Sequence, residues 1–185
     1  MNTKEQQILN LLKKKDKVGL EMLLDTYYIP LCLFSAKMVD NYSTAEDIVQ
    51  ETFIHIWEKK VAQNIVGSLR SYLFTAVKNN SLKQINKNKR FIFEEVLQET
   101  IEFPAEVEDQ DQWEERKEQL LNEIDALPPK MKRVFEAIVF ENMKYKEIAD
   151  EMKVSVNTIK TQFSRSLKQL RGSIDLLILF LLFFK

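Results

Sequence analysis

Glycine, proline, cysteine and histidine are all scarce in this chain: three, four, one and one among 185 residues. So little Gly and Pro excludes a fold built on many tight turns and favours helix. Period-two alternation is not sustained anywhere, which argues against a sheet. The lone Cys32 excludes an internal disulfide and a Cys-based metal site. The lone His55 lies beside an apolar stripe, where a core-edge residue is commoner than a ligand or base. Also missing are HExxH, a Ser/Cys–His–acid set, a Gly-rich phosphate loop and paired carboxylates. No catalytic residue, cofactor, metal or small-molecule substrate is therefore expected, and the chain is not read as an enzyme. The N-terminal MNTKEQQILNLLKKK lacks the apolar core of a signal peptide, so a cytoplasmic protein is expected.

The formal net charge of −1 argues against a nucleic-acid binder, but the charges are segregated. No acid occurs from Lys59 to Phe93, where Lys59, Lys60, Arg70, Lys78, Lys83, Lys87, Lys89 and Arg90 lie. From Glu94 to Glu118 eleven acids face only Arg116 and Lys117. Two basic segments are thus divided by an acidic one, and electrostatic footprints are local.

Apolar spacing predicts a helix over residues 3–15 and another over 20–39, kinked or restarted at Pro30. Ser43 with Glu46 three residues on fits a capping box for a third helix. On that helix Ala45, Ile48, Val49, Thr52 and Ile56 share a face flanked by Phe53 and Trp57. Asp47, Gln50, Glu51 and Glu58 lie opposite, with Ile54 in their midst. This face reads either as a solvated surface with one stray Ile or as a helix-docking surface. A fourth helix over 69–87 buries Leu73, Phe74, Val77 and Ile85. Tyr72, Thr75, Asn79 and Lys83 cluster outward, as a solvated face or as a ring, an amide and cations suited to single-stranded nucleic acid.

Residues 91–111 read as an acidic linker. Beyond them Trp113, Leu120, Ile124 and Leu127 anchor a helix that Pro128 and Pro129 stop, and Pro129 opens the next. Tyr145 to about Met152 is then a short helix and Lys153-Val154-Ser155 a turn. Ser155 caps a longer helix whose Val156, Ile159, Phe163, Leu167 and Leu170 form one apolar stripe. Asn157, Thr161, Ser164, Arg165 and Lys168 lie on its other side. This is a helix-turn-helix or an ordinary helical hairpin with a basic face. The tail over 174–185 has an apolar run too short to span a bilayer. It either buries itself on a neighbouring helix or touches a membrane or partner protein.

The order of these segments resembles the bacterial RNA polymerase sigma factors of the extracytoplasmic-function group, over about residues 5–172. AEDIVQETFIHIW resembles that family's polymerase-binding helix. SLRSYLFTAVKNNSL resembles its promoter-melting, minus-ten-reading helix. The segment from Leu127 to Arg171 resembles its minus-thirty-five-reading domain. The resemblance implies an all-α chain of two small helical domains joined by an acidic linker. An N-terminal domain over 1–90, the linker over 91–111, a C-terminal helix-turn-helix domain over 112–172 and an apolar tail over 173–185 are expected.

It further implies that Asp47, Gln50, Glu51, Phe53 and Trp57 serve core RNA polymerase, and Ile54 on the same helix is a candidate beside them. It implies that Tyr72 and Asn79 serve minus-ten DNA, with Lys78, Lys83 and Arg90 as basic candidates beside them. It implies that Lys160, Thr161, Gln162, Ser164 and Arg165 serve minus-thirty-five DNA, with Ser155, Asn157, Thr158 and Lys168 as further candidates on that helix. Tyr72 stands where the family usually carries Trp, and Lys153 where many members carry Gly. Promoter DNA, core polymerase and a membrane-anchored anti-sigma factor are the implied partners. The rival readings are a stand-alone helix-turn-helix repressor or activator and a helical protein-binding adaptor.

Overall fold

The computed structural model describes residues 3–59, 61–88 and 110–183. Every regular element among them is helical: α1 (Thr3–Lys13), α2 (Lys17–Val39), α3 (Tyr42–Glu58), α4 (Leu69–Asn88), α5 (Gln110–Asp125), α6 (Pro129–Val139), α7 (Tyr145–Met152), α8 (Val156–Gln169) and α9 (Ile174–Phe183). Single 3-10 turns lie at Val61–Asn64 and Arg171–Ser173. The chain divides into two compact units, Met1–Ala105 and Glu106–Lys185. Lys60, Lys89, Arg90, the acidic stretch over 91–109 and Phe184 lie outside the described residues.

In the first unit α2 is central, packed against α1, α3 and α4. It is long and apolar enough by composition to cross a membrane, and half of that stretch is buried in the unit. Leu23, Tyr27, Leu31 and Phe34 face its core. A Cβ on Gly19 would sit 2.6 Å from the Leu11 Cβ and 2.9 Å from the Leu12 nitrogen, so the α1–α2 crossing requires glycine there. Asp16 caps α2 through Val18 N–H at 3.0 Å. Of the two outcomes expected at Pro30, a kink or a restart, the restart does not occur: α2 is continuous through it. Proline removes one backbone donor there, and burial of Pro30 with Leu31, Cys32, Leu33 and Phe34 offsets that loss.

The start of α3 also differs from expectation. Asn41, extended at φ −149°, is its N-cap, and its Oδ1 accepts Thr44 N–H at 2.9 Å. Ser43 is already inside the helix and exposed. Glu46 accepts a bond from the Tyr28 hydroxyl rather than closing a capping box. Two polar ties lock α4 inside this unit: Ser35 and Ser81 hydroxyls at 2.8 Å, both buried, and Asn80 Nδ2 donating to Thr52 Oγ1 at 3.0 Å. Phe34 meets Phe74 edge to face at 5.0 Å between centroids.

In the second unit the buried residues include Trp113, Leu120 and Ile124 of α5, Val134, Phe135 and Ile138 of α6, Ile148 of α7, and Ile159, Phe163 and Leu167 of α8. Pro129 sits at the first position of α6, where its missing N–H costs no helical bond. Val156 departs from the expected stripe: at the first position of α8 it is exposed, because the helix end lies beyond the packed core. The residues expected as a separate tail form α9. It buries Ile174, Leu177, Ile178 and Leu181, packs on α5, and brings Phe180 edge to face with Phe140 at 6.3 Å. The Ser173 hydroxyl donates to Glu123 at 2.6 Å beside it.

Candidate protein- and nucleic-acid-binding surfaces

On α3, Asp47, Gln50, Glu51 and Ile54 all face solvent, and Ile54 is 54% exposed. A large apolar side chain amid acids gives a protein partner both a desolvated anchor and charges for orientation. Phe53 is buried with its ring tilted against that of Tyr28, centroids 6.5 Å apart, so it supports this face from below. Trp57 is half-buried, with Lys15 Nζ 5.7 Å from its ring centroid. The same ammonium donates to the Glu58 carbonyl at 3.4 Å, next to the C-terminal end of α3. Gln50 Nε2 donates to the Tyr28 hydroxyl at 3.2 Å, which in turn donates to Glu46 at 3.4 Å. Burial holds that hydroxyl well above its ordinary range, so it stays protonated. Tyr28 and Lys15 were not foreseeable from the α3 sequence, because they come from α2 and from the turn between α1 and α2. His55 is exposed rather than at the core edge.

On α4, Tyr72 and Lys78 are half-buried while Thr75, Asn79 and Lys83 are exposed. Spacings of three and four place Tyr72, Thr75, Asn79 and Lys83 along one face. The neighbouring Asn80 points the other way, to Thr52, so the two adjacent amides have separate tasks. Arg90 lies outside the described residues.

A third surface lies on α8. Ser155, extended at ψ 152°, caps it by accepting Thr158 N–H at 3.0 Å, and the two hydroxyls lie 2.8 Å apart. Asn157, Thr158, Lys160, Thr161, Arg165 and Lys168 are exposed, and Gln162 and Ser164 are half-buried. Thr161 donates its proton to the Asn157 carbonyl at 2.9 Å, leaving its oxygen as an acceptor only. Lys160 Nζ stands 5.4 Å from the Tyr145 ring centroid.

The turn from α7 to α8 is made without glycine: Lys153 takes the left-handed conformation, φ 54° and ψ 46°. Its N–H bonds back to Ala149 and Asp150, and Val154 N–H reaches the Ala149 carbonyl at 3.0 Å. Arg133 of α6 pins this motif. It forks onto Glu151 of α7 at 2.9 and 3.0 Å and reaches Glu141 at 2.6 Å. Those two carboxylates, Glu151 first, hold its guanidinium further above its ordinary range. Among the described residues no group of acids, His and Cys could hold a metal ion.

Residues 23–91 match the family described as sigma-70 region 2, and residues 117–170 match sigma-70 region 4. The chain belongs to the sigma-70 family. This sigma-70 chain is similar to the ECF RNA polymerase sigma factor SigE of Mycolicibacterium smegmatis, 25% identical over 138 residues, covering 73% of this chain and 53% of that protein. It is also similar to RNA polymerase sigma factor HrpL of Pseudomonas syringae pv. syringae, 22% identical over 167 residues, covering 88% of this chain and 91% of that protein. It thus spans about half the length of SigE and nine-tenths of HrpL. Among solved structures it is similar to the sigma factor RpoE of Bartonella quintana, crystallised with the anti-sigma factor NepR, at 22% identity and a TM-score of 0.34, covering 84% of this chain and 95% of that one. In this sigma-70 chain, region 2 begins within α2 and region 4 ends at Leu170, so α1 and α9 lie outside both family matches.

Proposed function

We propose that this chain is a promoter-specificity subunit that binds core RNA polymerase, directs it to particular promoters and helps open the minus-ten region. Asp47, Gln50, Glu51 and Ile54 meet the polymerase, with Phe53 and Trp57 beneath them. Tyr72, Lys78, Asn79, Lys83 and Arg90 engage the minus-ten strand, where an unstacked base is captured on a ring and an amide. In the second unit α8 enters the major groove at the minus-thirty-five element. Lys160, Thr161, Gln162, Ser164 and Arg165 face bases, and Ser155, Asn157, Thr158 and Lys168 face bases or backbone. Two weak DNA contacts tethered to one polymerase give specificity through effective concentration. Bond formation belongs to the polymerase, so the chain supplies no catalytic group. Its place of action is the cytoplasm, and an anti-sigma factor, membrane-anchored as is common for the group, masks these faces between signals.

The observation that carries this reading is α3. An acidic face centred on an exposed Ile54 has no task in a stand-alone helix-turn-helix repressor. Co-precipitation with core polymerase tests it. Asp47→Ala combined with Glu51→Ala is expected to abolish retention and promoter-specific run-off transcription together. Retention at the wild-type level sinks the assignment. An adaptor protein would give no run-off product even unmutated.

A further inference from the structure

The helix assigned to minus-ten DNA begins at an end for which its own sequence supplies a serine cap but no negative charge. No acid stands in the first turn of α4, and none occurs anywhere from Val61 to Phe93. That absence suits a helix meeting phosphates, since an exposed carboxylate there would repel the strand. It also leaves the positive end of the helix dipole without a local counter-charge. The fold supplies one from behind. Glu5 of α1 is 7% exposed, and its Oε1 accepts both Arg70 N–H and the Ser68 hydroxyl, each at 2.7 Å. Ser68 Oγ in turn accepts Ser71 N–H at 3.2 Å, and the Ser68 carbonyl takes the first helical bond, from Tyr72. One buried carboxylate therefore orders two of the open amides of α4, one directly and one through the serine it orients. Just before this cap the chain turns at Gly67, φ +88°, which follows Val66, 96% exposed. Tyr27 of α2 completes the surroundings: burial, and secondarily the charge of Glu5, hold its hydroxyl well above its ordinary range.

We propose that Glu5 is a positioning residue for promoter opening. From α1, outside the matched region 2, it fixes the first turn of α4 in the orientation from which Tyr72 and Asn79 meet the minus-ten strand. This rests on the sigma-factor reading above. Being buried, the carboxylate acts without presenting its charge to the phosphates. Glu5→Ala removes the acceptor for both donors and frees Ser68 to rotate, so both caps loosen together. Glu5→Gln keeps an acceptor oxygen in place and loses only the charge.

The test uses the full chain with core polymerase and a promoter that the wild-type chain opens, read by permanganate reactivity of unpaired thymines alongside core-binding affinity. Glu5→Ala is expected to lower open-complex formation by at least about tenfold, with core affinity within about twofold of wild type. Glu5→Gln is expected to recover most of the opening. Wild-type opening by Glu5→Ala overturns the inference. So does a parallel loss of core affinity, which would mean general damage to the unit, or a Gln variant no better than Ala. A wild-type chain inactive with core polymerase refutes the sigma-factor reading itself, which separates the two failures.

Discussion

Leu177 tests whether α9 belongs to the folded core of the C-terminal unit. Its side chain is fully buried, within a helix packed on α5. Leu177→Ala removes its apolar burial and leaves a cavity, a change that costs about 2–5 kcal/mol in cores. A site near the chain end relaxes more easily, which places the expectation at about 2–3 kcal/mol. Helix propensity cannot be the cause of such a loss, since Ala is the better helix former. For a unit of this size that corresponds to a fall in melting temperature of about 10–20 °C. The two tryptophans fall one in each unit, Trp57 half-buried in α3 and Trp113 buried in α5, the helix that α9 covers. In a Trp57→Phe background, Trp113 fluorescence therefore follows the second unit alone. Leu176, only half-buried, is the control, and Leu176→Ala is expected to cost less than about 1 kcal/mol. An unmoved Trp113 transition in Leu177→Ala, or an equal shift in Leu176→Ala, refutes the assignment of α9 to this core.

Asn41→Ala should destabilise the N-terminal unit by about 1 kcal/mol in chemical unfolding through loss of the α3 cap, whereas Ser43→Ala should leave the midpoint unchanged. Arg133→Ala should cost about 1 kcal/mol of C-terminal unit stability, held to that figure because its side chain and both carboxylates are each more than a third exposed or nearly so; the loss should shrink in high salt. Arg165→Ala, exposed on α8, should weaken promoter binding by about 1–3 kcal/mol and relax base preference upstream while core-polymerase affinity stays unchanged; competition binding with substituted promoters reads both.

Much of the fold was legible because helical periodicity is a local property. The apolar residues of α3 and α8 recur at helical spacing, so these elements and their buried sides could be read from the chain. Most positions proposed for contact could also be read, since they are what each amphipathic helix leaves outward; Phe53, which is buried, is the exception. Boundaries were less legible. Asn41 and Ser43 are both good capping residues, and the backbone conformation at Asn41 decided between them. Pro30 signalled a break, yet the surrounding burial keeps α2 whole. Lys153 shows the same priority of context over preference: left-handed geometry at the turn is held by backbone bonds from both sides, without the glycine that would adopt it most easily.

What the sequence determined by itself was the all-helical class, the segregation of charge, and the identity of the outward side chains on α3, α4 and α8, because all three follow from composition and a period of 3.6 residues. What only the tertiary structure decided was which distant group supports each surface. Glu5 reaches the start of α4 across 65 positions, Tyr28 holds Gln50 across 22, Arg133 forks onto Glu151 across 18, and α9 returns to cover α5. Such contacts leave no mark in the spacing of either partner. They depend on where packed helices bring chain segments together, and the apolar run at the C-terminus gained its place only when α5 was there to receive it.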